Sequence, residues 1–210
     1  YPVIITEYCQ NGSLSDLIEK DRNLTALKIW TDTKKLINIY GIASAMKYLH
    51  SNNIIHRDLK PANILEDENL FPKISDFGLS KSYKKSDSNE SKLASGILGT
   101  PIYIAPEIWS DKNYTEAGDV YAFAIIVYEI LTLDEPFENC NGISLMVKVG
   151  LKGERPEIKY PLPHCYEDLI EKCWSSDPKD RPTFNQIVEQ IRTNKNFIIE
   201  SIDFIDNLNS

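Results

Sequence analysis

The stretch "HRDLKPAN", residues 56–63, places two cations, a carboxylate and an amide between the apolar pairs Ile54-Ile55 and Ile64-Leu65. The apolar flanks predict that the loop is fixed to a hydrophobic core. Phosphoryl transfer needs metal ions on the phosphates, a cation, and a carboxylate that orients the attacking hydroxyl. The stretch supplies the last two as Lys60 and Asp58, so its composition fits that chemistry.

On either side of this stretch, the apolar pattern predicts a long helix before it and a hairpin after it. Apolar residues recur at helical spacing over 36–49, and either Thr31 or Asp32 is available as the N-cap. Two short apolar runs, 63–65 and 71–74, are joined by an acidic turn, as in a small hairpin. The charged stretch therefore lies on a loop between a helix and a hairpin.

Three oxygen-bearing side chains around the predicted hairpin are candidate metal ligands. Asn63 begins the first run of the hairpin, Asp76 follows the second run and Asp58 precedes both, so the turn brings them toward one end of a common pocket. Mg²⁺ prefers one or two carboxylates together with phosphate and water oxygens. These acceptors match that preference.

The rest of the chain is predicted to be mainly helical. Residues 1–6 form a β-branched run that is typical of a buried strand, and the polar, serine-rich segment 80–95 predicts a mobile surface loop. Further helices are predicted at 120–131, at 166–175, at 183–192 and on an apolar stripe formed by Ile198, Ile202, Ile205 and Leu208. No internal repeat is visible.

Composition excludes several classes of protein. The 210 residues are 42% hydrophobic and 26% charged, which is ordinary for one globular domain. No apolar run is long enough to cross a bilayer and no signal peptide is visible, so we expect a cytoplasmic location. The formal charge of −8 argues against charge-driven binding to nucleic acid. The cysteines form no close pair, which predicts reduced thiols at Cys9, Cys140, Cys165 and Cys173.

Five motifs make a resemblance specific. "HRDLKPAN", "DFG" at 76–78 and "APE" at 105–107, in this order, resemble the catalytic loop, the metal-binding motif and the end of the activation segment of eukaryotic protein kinases. "GDVYAF" at 118–123 and "CWSSDPKDRPTF" at 173–184 extend the similarity to about residue 192. The resemblance implies a mainly α fold, the large C-terminal kinase lobe with short β-hairpins.

Carried over by position, the resemblance implies four catalytic residues. Asp58 is the base that accepts or orients the substrate hydroxyl, Lys60 is a cation beside the transferred phosphoryl group, and Asn63 and Asp76 bind Mg²⁺. Taken alone, Asp58 is also compatible with a simple ion pair to Arg57, and Asn63 with a turn cap.

The segment "TEYCQNGSLSD" at 6–16 resembles the hinge that holds the adenine of ATP through backbone groups. This implies contacts from the Glu7 carbonyl and the Cys9 backbone, with Thr6 as gatekeeper and Ser13 or Asp16 near the ribose. Leu65 is implied to lie under the adenine ring. The full set implied to bind nucleotide and metal is Glu7, Cys9, Ser13, Lys60, Asn63, Leu65 and Asp76.

Other family positions imply structural roles. His56 and Phe77 match a buried packing column, and Asp119 matches the residue that anchors the catalytic-loop backbone. Glu107 and Arg181 match a buried ion pair that ties the activation segment to the later helices.

A regulatory site is also implied. Arg57 and Lys81 resemble a basic pocket that captures a phosphorylated activation segment, with an upstream kinase as a partner. Ser91 and Ser95 are the candidate phosphorylated residues. A solvated serine-rich loop without regulation is the alternative.

The acceptor and the branch follow from the same motifs. Lys60 in "DLKPAN" and Thr100 in "GTPIYIAPE" resemble the serine/threonine-specific pattern, so protein serine and threonine hydroxyls are the implied acceptors. "DVYAFAIIVYEILT" and "CWSSDPKDRPTF" resemble the tyrosine-kinase-like branch of the family.

The resemblance further implies a partial kinase domain at 1–194, beginning at the hinge strand, with a helical extension at 195–210. The small N-terminal lobe, which carries the Gly-rich loop and the strand lysine, would be almost entirely missing, and we expect little activity from the chain alone. A non-catalytic scaffold or binding module is the first alternative. A structural domain that binds neither nucleotide nor substrate is the second.

Overall fold

The computed structural model describes residues 6–25, 30–82, 100–111, 114–138 and 140–198. The predicted strand at 1–6 lies outside these residues except for Thr6. Ser91, Ser95 and the stripe beyond Ile198 also lie outside them. The described part is mainly helical, with four short strands, as the family resemblance implied.

Two helices precede the charged loop. Helix α1, Leu14–Arg22, was not predicted from the sequence; it begins at a capping box in which Ser13 and Asp16 exchange side-chain-to-backbone hydrogen bonds. Helix α2, Asp32–Ser51, confirms the predicted long helix, and the Thr31 side chain accepts the N–H of Lys34 as its N-cap.

The strands form two antiparallel pairs. The predicted hairpin is present as β2, Ile64–Glu66, and β3, Pro72–Ile74. The other pair joins β1, Ile54–Ile55, to β4, Lys81–Ser82. The prediction of a loop starting at residue 80 was therefore wrong for its first residues, because the exposed edge of β1 provides a backbone partner for Lys81 and Ser82.

Later helices frame the core. Helix α3 is Pro106–Asp111 and α4 is Glu116–Thr132, which starts earlier than the predicted 120–131. Acidic Glu116 and Asp119 favour the added first turn because carboxylates stabilise a helix N-terminus. Helix α5, Gly142–Leu145, continues as a π-helical turn, Met146–Leu151, and neither was predicted.

The last helices lie close to their predicted positions. Helix α6, His164–Cys173, begins and ends two residues before the predicted 166–175. Helix α7, Phe184–Thr193, follows a capping box between Thr183 and Gln186 and matches the prediction. After it, Phe197 is fully buried and its carbonyl accepts the hydroxyl of Tyr166 at 2.8 Å.

Helix α4 is the centre of the hydrophobic core. Every residue from Gly118 to Ile130 is buried, as predicted for a helix surrounded on nearly all sides. Helix α7 packs on α2, and α6 packs on α4. Gly41 of α2 is required for close packing, since a Cβ there would lie 2.6 Å from Pro72 Cγ of β3. None of the helices within the described residues is long and apolar enough to cross a membrane.

Candidate active site

The charged loop is held to the core helix through its backbone. Asp119 of α4 accepts the N–H of His56 at 2.9 Å and the N–H of Arg57 at 3.0 Å, and its Oδ2 lies 2.9 Å from His50 Nε2. Arg57 has a φ of +71°, in the left-handed region that costs energy for a non-glycine residue. The two hydrogen bonds to Asp119 hold this backbone turn. The predicted anchoring role of Asp119 matches this geometry.

The loop brings the predicted catalytic side chains together. Lys60 Nζ lies 2.8 Å from Asp58 Oδ2 and donates to Thr100 Oγ1 at 3.1 Å. Asn63 donates its amide hydrogens to the carbonyl and to Oδ2 of Asp58, at 2.8 and 2.9 Å. A cation and an amide therefore fix one carboxylate oxygen of Asp58. The sequence identified Thr100 only as a sign of substrate class and did not predict its contact with Lys60.

His56 links this loop to the segment that carries Asp76. Its Nδ1 accepts the N–H of Asp58 at 3.3 Å, and its Nε2 lies 3.0 Å from the carbonyl of Ser75. This pattern requires a proton on Nε2 and a lone pair on Nδ1, as in neutral histidine. Ser75 in turn donates its N–H and its hydroxyl to the carbonyl of Asn63. His56 is fully buried, as predicted.

Asp76 lies at a tight backbone turn. Its φ is +57°, and its Oδ1 accepts the N–H of Gly78 at 3.2 Å. The expectation that Phe77 is buried was wrong. Its ring packs against His56 at a centroid distance of 5.4 Å, but this contact leaves 48% of the residue exposed.

The donor set fits Mg²⁺ in part. Both amide hydrogens of Asn63 are used by Asp58, so its amide oxygen remains as an acceptor, and one carboxylate oxygen of Asp76 makes no hydrogen bond within the described residues. The described part of the chain has no group of three or more His, Cys, Asp or Glu that could hold a metal alone. A Mg²⁺ ion here would need phosphate and water oxygens as well, as this ion commonly does.

The predicted hinge residues lie beside the hairpin. Glu66 of β2 donates its N–H to the Gly12 carbonyl at 2.9 Å, and Asn11 donates its N–H to the Glu66 carbonyl at 3.3 Å. An isolated bridge joins Ser13 to Leu65, which is half-buried. Leu65 is thereby held next to the end of the hinge.

The hinge side chains differ in their freedom to bind a ligand. Thr6, Glu7 and Tyr8 are exposed, and partial burial together with the charge of Glu7 raises the pKa of the Cys9 thiol. The Ser13 hydroxyl donates to Asp16 at 2.8 Å, and hydrogen bonds from Ser13 lower the pKa of Asp16. Ser13 and Asp16 are therefore already hydrogen-bonded to each other in the helix cap, and a contact with the ribose would have to form beside these bonds.

The predicted ion pair between Arg181 and Glu107 is present. Arg181 Nη1 and Nη2 donate to the two carboxylate oxygens of Glu107, each at 2.7 Å, and the guanidinium is fully buried. Arg181 also donates to the carbonyls of Ser175 and Ala117. The bidentate pair connects α3 with the N-terminus of α4 and with the loop before α7.

Arg57 occupies the predicted regulatory position, but the pocket cannot be assembled from the described residues. Burial lowers the pKa of its guanidinium, and its Nε and Nη2 have no hydrogen-bond partner among the described residues. The side chain of Lys81 lies outside them. The regulatory pocket therefore stays a prediction.

A cavity of about 640 Å³ lies between α1, Pro61 and the turn at Ile102. Buried Glu129 of α4 forms part of its lining and accepts the hydroxyl of Tyr103 at 2.8 Å. Burial raises the pKa of Glu129 to about 7. This contact could not be predicted from the sequence, because it depends on how the turn after Thr100 folds onto α4.

The helical fold and the charged loop between two short strand pairs define a protein kinase large lobe. The model of the family described as protein tyrosine and serine/threonine kinase matches residues 1–191, and the chain belongs to this family.

Curated relatives agree with this assignment. The chain is 39% identical over 190 residues to a putative serine/threonine-protein kinase/receptor, R831, of Acanthamoeba polyphaga mimivirus, covering 90% of the chain and 11% of the relative. It is 40% identical to a probable LIM domain-containing serine/threonine-protein kinase of Dictyostelium discoideum, covering 90% and 27%. The serine/threonine-protein kinase CTR1 of Arabidopsis thaliana is 39% identical, covering 90% and 22%. The chain thus spans only a small part of the length of these relatives.

Proposed function

We propose that this chain is the large lobe of a serine/threonine protein kinase that transfers the γ-phosphoryl group of ATP to protein hydroxyls. The observation that carries the proposal is the cluster in which Lys60 and Asn63 both bind Oδ2 of Asp58. A structural ion pair alone would not need an amide and a lysine on one carboxylate oxygen beside an acceptor such as Asp76. The names of the curated relatives support serine and threonine as acceptors.

Asp58 is the proposed base. With Oδ2 fixed by Lys60 and Asn63, its other oxygen is available to accept a hydrogen bond from the substrate hydroxyl and to orient it for attack. Lys60 is proposed to reduce the negative charge that develops on the transferred group, and its bond to Thr100 Oγ1 fixes its direction.

Asn63 and Asp76 are the proposed metal ligands. Their free oxygens would hold Mg²⁺, which neutralises charge on phosphate oxygens in this chemistry. The hydrogen bonds from Ser75 to the Asn63 carbonyl keep the two ligand-bearing segments together. Glu7 and Cys9 are proposed to bind adenine through their backbones, with Leu65 beneath the ring and Ser13 near the ribose.

The proposed domain spans residues 1–194, with 195–210 as an extension, and the match to residues 1–191 supports this division. In the longer protein, the remaining part of the ATP site would come from a small lobe. We further propose membership of the tyrosine-kinase-like branch, activation by an upstream kinase, and action in the cytoplasm, where unpaired cysteines such as the four in this chain are typical.

Phosphotransfer assays on the full-length protein that contains this chain test the proposal. Asp58→Asn should lose phosphate transfer by about 100-fold or more, since a general base contributes on that scale, and should still bind Mg-ATP. Asp76→Ala should lose magnesium-dependent ATP binding. Asp168→Asn, which changes an exposed carboxylate of α6, is the matched control and should behave like the wild type.

Serine-, threonine- and tyrosine-containing peptides should be compared as acceptors in the same assay. Phosphate on serine and threonine alone is the expected result. Equal transfer by the wild type and Asp58→Asn would contradict the proposed role of Asp58.

A further inference from the structure

Two polar side chains beneath the hinge are completely buried and incompletely hydrogen-bonded. Glu66 at the end of β2 and Asn38 in α2 each have 0% exposure. Neither carboxyl oxygen of Glu66 nor Oδ1 of Asn38 has a hydrogen-bond partner within the described residues. Buried polar groups without partners carry a large desolvation cost, so this arrangement needs an explanation.

The orientation of the Asn38 amide is fixed by backbone groups. Its Nδ2 donates to the carbonyl of Lys34 at 3.2 Å and to the carbonyl of Leu70 at 3.1 Å, which uses both amide hydrogens. A flipped amide would turn its oxygen toward two carbonyl oxygens. Oδ1 of Asn38 therefore needs a donor, which an ionised carboxylate lacks and a protonated one has.

The charges around Glu66 favour the protonated form. Burial is the main effect and, with a smaller contribution from the neighbouring charge of Asp67, raises the pKa of Glu66 to about 8, while the adjacent amide of Asn38 opposes this only in part. No described cation acts on this carboxyl. On β3, Lys73 is paired with Leu65 and so lies on the other face of the hairpin, where it binds Glu7.

Glu66 is also directly connected to the hinge segment, defined here as residues 6–13. Its backbone exchanges hydrogen bonds with Asn11 and Gly12. The segment passes close to α1 at Gly12, where glycine is required because φ is +74° and a Cβ would lie 2.7 Å from Asp16 Oδ2. Whatever fixes Glu66 against α2 therefore fixes the hinge segment as well.

We propose that Glu66 is a positioning residue whose protonated carboxyl donates a hydrogen bond to Oδ1 of Asn38 and so holds the hinge segment in place. Loss of this proton leaves the two carboxylate oxygens of Glu66 and Oδ1 of Asn38 buried without a donor. The strand end and the hinge segment are then released from α2. The consequence for nucleotide binding rests on the proposed function, whereas the hydrogen bond itself does not.

Equilibrium unfolding of the 210-residue chain at pH 4.5 to 8.5 tests the proton. As pH rises, Glu66 alone should increase the equilibrium constant for unfolding of the wild type by up to about tenfold per pH unit. Glu66→Gln keeps the shape of the side chain and a hydrogen-bond donor but has no titrating proton. This variant should lose the contribution of residue 66 to the pH dependence, and its stability at pH 8 should match or exceed that of the wild type. Glu66→Leu should also remove it but be less stable than Glu66→Gln, because Oδ1 of Asn38 is left without a donor. An unchanged slope in Glu66→Gln would overturn the proposal.

Amide hydrogen exchange tests the positioning step without nucleotide. After correction for intrinsic rates, the Asn11 amide should lose protection between pH 6 and pH 8 in the wild type and keep it in Glu66→Gln. Glu129→Gln, which alters another buried carboxyl with a raised pKa on α4, is the matched control and should behave like the wild type at Asn11. The same protection at both pH values in the wild type would overturn the positioning role.

Mg-ATP affinity of the full-length protein then separates the two proposals. It should fall at least about threefold from pH 6 to pH 8.5 in the wild type and in Glu129→Gln, and stay constant in Glu66→Gln. If Mg-ATP binds to no variant, the proposed function fails while hydrogen exchange still decides the role of Glu66. If affinity is independent of pH although Asn11 loses protection, the link from Glu66 to nucleotide binding is wrong.

Discussion

Asp119 shows how one buried side chain holds strained backbone at the candidate active site. Its carboxylate accepts the N–H groups of His56 and Arg57 and contacts His50, and it is 1% exposed. A carboxylate has only acceptor oxygens, so it suits a site where three donors converge. Asparagine at this position would present an N–H group to one of these donors.

We therefore expect Asp119→Asn to lower the free energy of unfolding by about 3 kcal/mol, since hydrogen bonds to a buried charge are strong and an unpaired donor adds a desolvation cost. Urea denaturation of the chain measures this change. Phosphate transfer should fall as well, because either His56 or Arg57 would lose the backbone hydrogen bond that holds the strained turn. Glu154→Gln, at a half-exposed carboxylate that lies 3.7 Å from Lys152 Nζ, is the control and should change stability little. A loss below 1 kcal/mol for Asp119→Asn would show that the backbone turn is stable without this carboxylate.

For single residues, the motif predicted which side chains lie together better than it predicted how deeply each side chain is buried. Asp58, Lys60 and Asn63 lie together as the resemblance implied, because their spacing within one loop leaves few alternatives. The exposure of Phe77 and the buried Glu66 were not predictable, since both depend on which parts of the molecule cover them.

Elements at the base of the lobe are joined by the pair between Arg181 and Glu107. Arg181 donates four hydrogen bonds, to α3, to the start of α4 and to the loop before α7, so its guanidinium cannot be rehydrated without opening the fold. Its ring neighbour Tyr121 stacks at 5.3 Å, which adds a cation–π contact.

We expect Glu107→Ala or Arg181→Ala alone to cost about 3 to 5 kcal/mol of unfolding free energy, because each leaves a buried charge unpaired. The double variant should cost less than the sum of the single variants, and urea denaturation of all four proteins gives the coupling energy. Additive losses would indicate that the two side chains contribute independently, contrary to the bidentate geometry.

Helix α7 depends on the capping box at its start. Thr183 accepts the N–H of Gln186, and Gln186 Oε1 accepts the N–H of Thr183 at 2.8 Å. Thr183→Ala should lower the unfolding free energy by about 1 kcal/mol, as for other lost N-caps. Thr193→Ala, at the other end of the helix, replaces a hydroxyl that bonds a carbonyl within the same helix and is the matched control. Equal losses in both variants would show that the cap has no special role.

At the scale of elements, the sequence predicted helices with a clear apolar period or cap, such as α2 and α7. It did not predict α1 or the strand β4. Helix α1 has few apolar positions. Their role is visible only in the folded chain, where they are buried and α1 packs against the turn that contains Pro61. Strand β4 exists because β1, far away in sequence, offers it a backbone partner.

The whole molecule is organised around one apolar helix, and this was predictable because α4 has almost no polar positions to place at a surface. The packing of α2, α6 and α7 around it follows from their apolar faces. The burial of Glu66 was not predictable, since nothing in its local sequence separates it from a surface glutamate, whereas Glu129 lies within the helix that was predicted to be buried.

These two carboxyls give the fold an unusual dependence on pH. Burial raises the pKa of Glu66 to about 8 and that of Glu129 to about 7. Below the ordinary pKa of glutamate, both the folded and the unfolded chain carry these protons, so their stabilising effect is fully present. Above it, the unfolded chain loses the protons first, and stability falls until the folded chain loses them near pH 7 to 8. At the acid end, hydrogen bonds lower the pKa of Asp16, so stability is lost as pH falls below about 4.

We therefore expect maximum stability near pH 4 to 5, below the range of about 5 to 8 that is common for proteins. The loss above it should be of the order of 1 kcal/mol per pH unit for each carboxyl. Urea denaturation across pH 4 to 8.5 measures the profile, and the Glu66→Gln, Glu129→Gln double variant should flatten its alkaline side while the acid side is kept.

The net charge of −8 near neutral pH acts in the same direction, because repulsion among surface carboxylates grows as pH rises above the isoelectric point of about 5.0. That repulsion is sensitive to salt, whereas the effect of the two buried groups is not. A profile that rises from pH 5 to pH 8, or one that 0.5 M salt flattens completely, would show that these carboxyls are not held neutral by the fold.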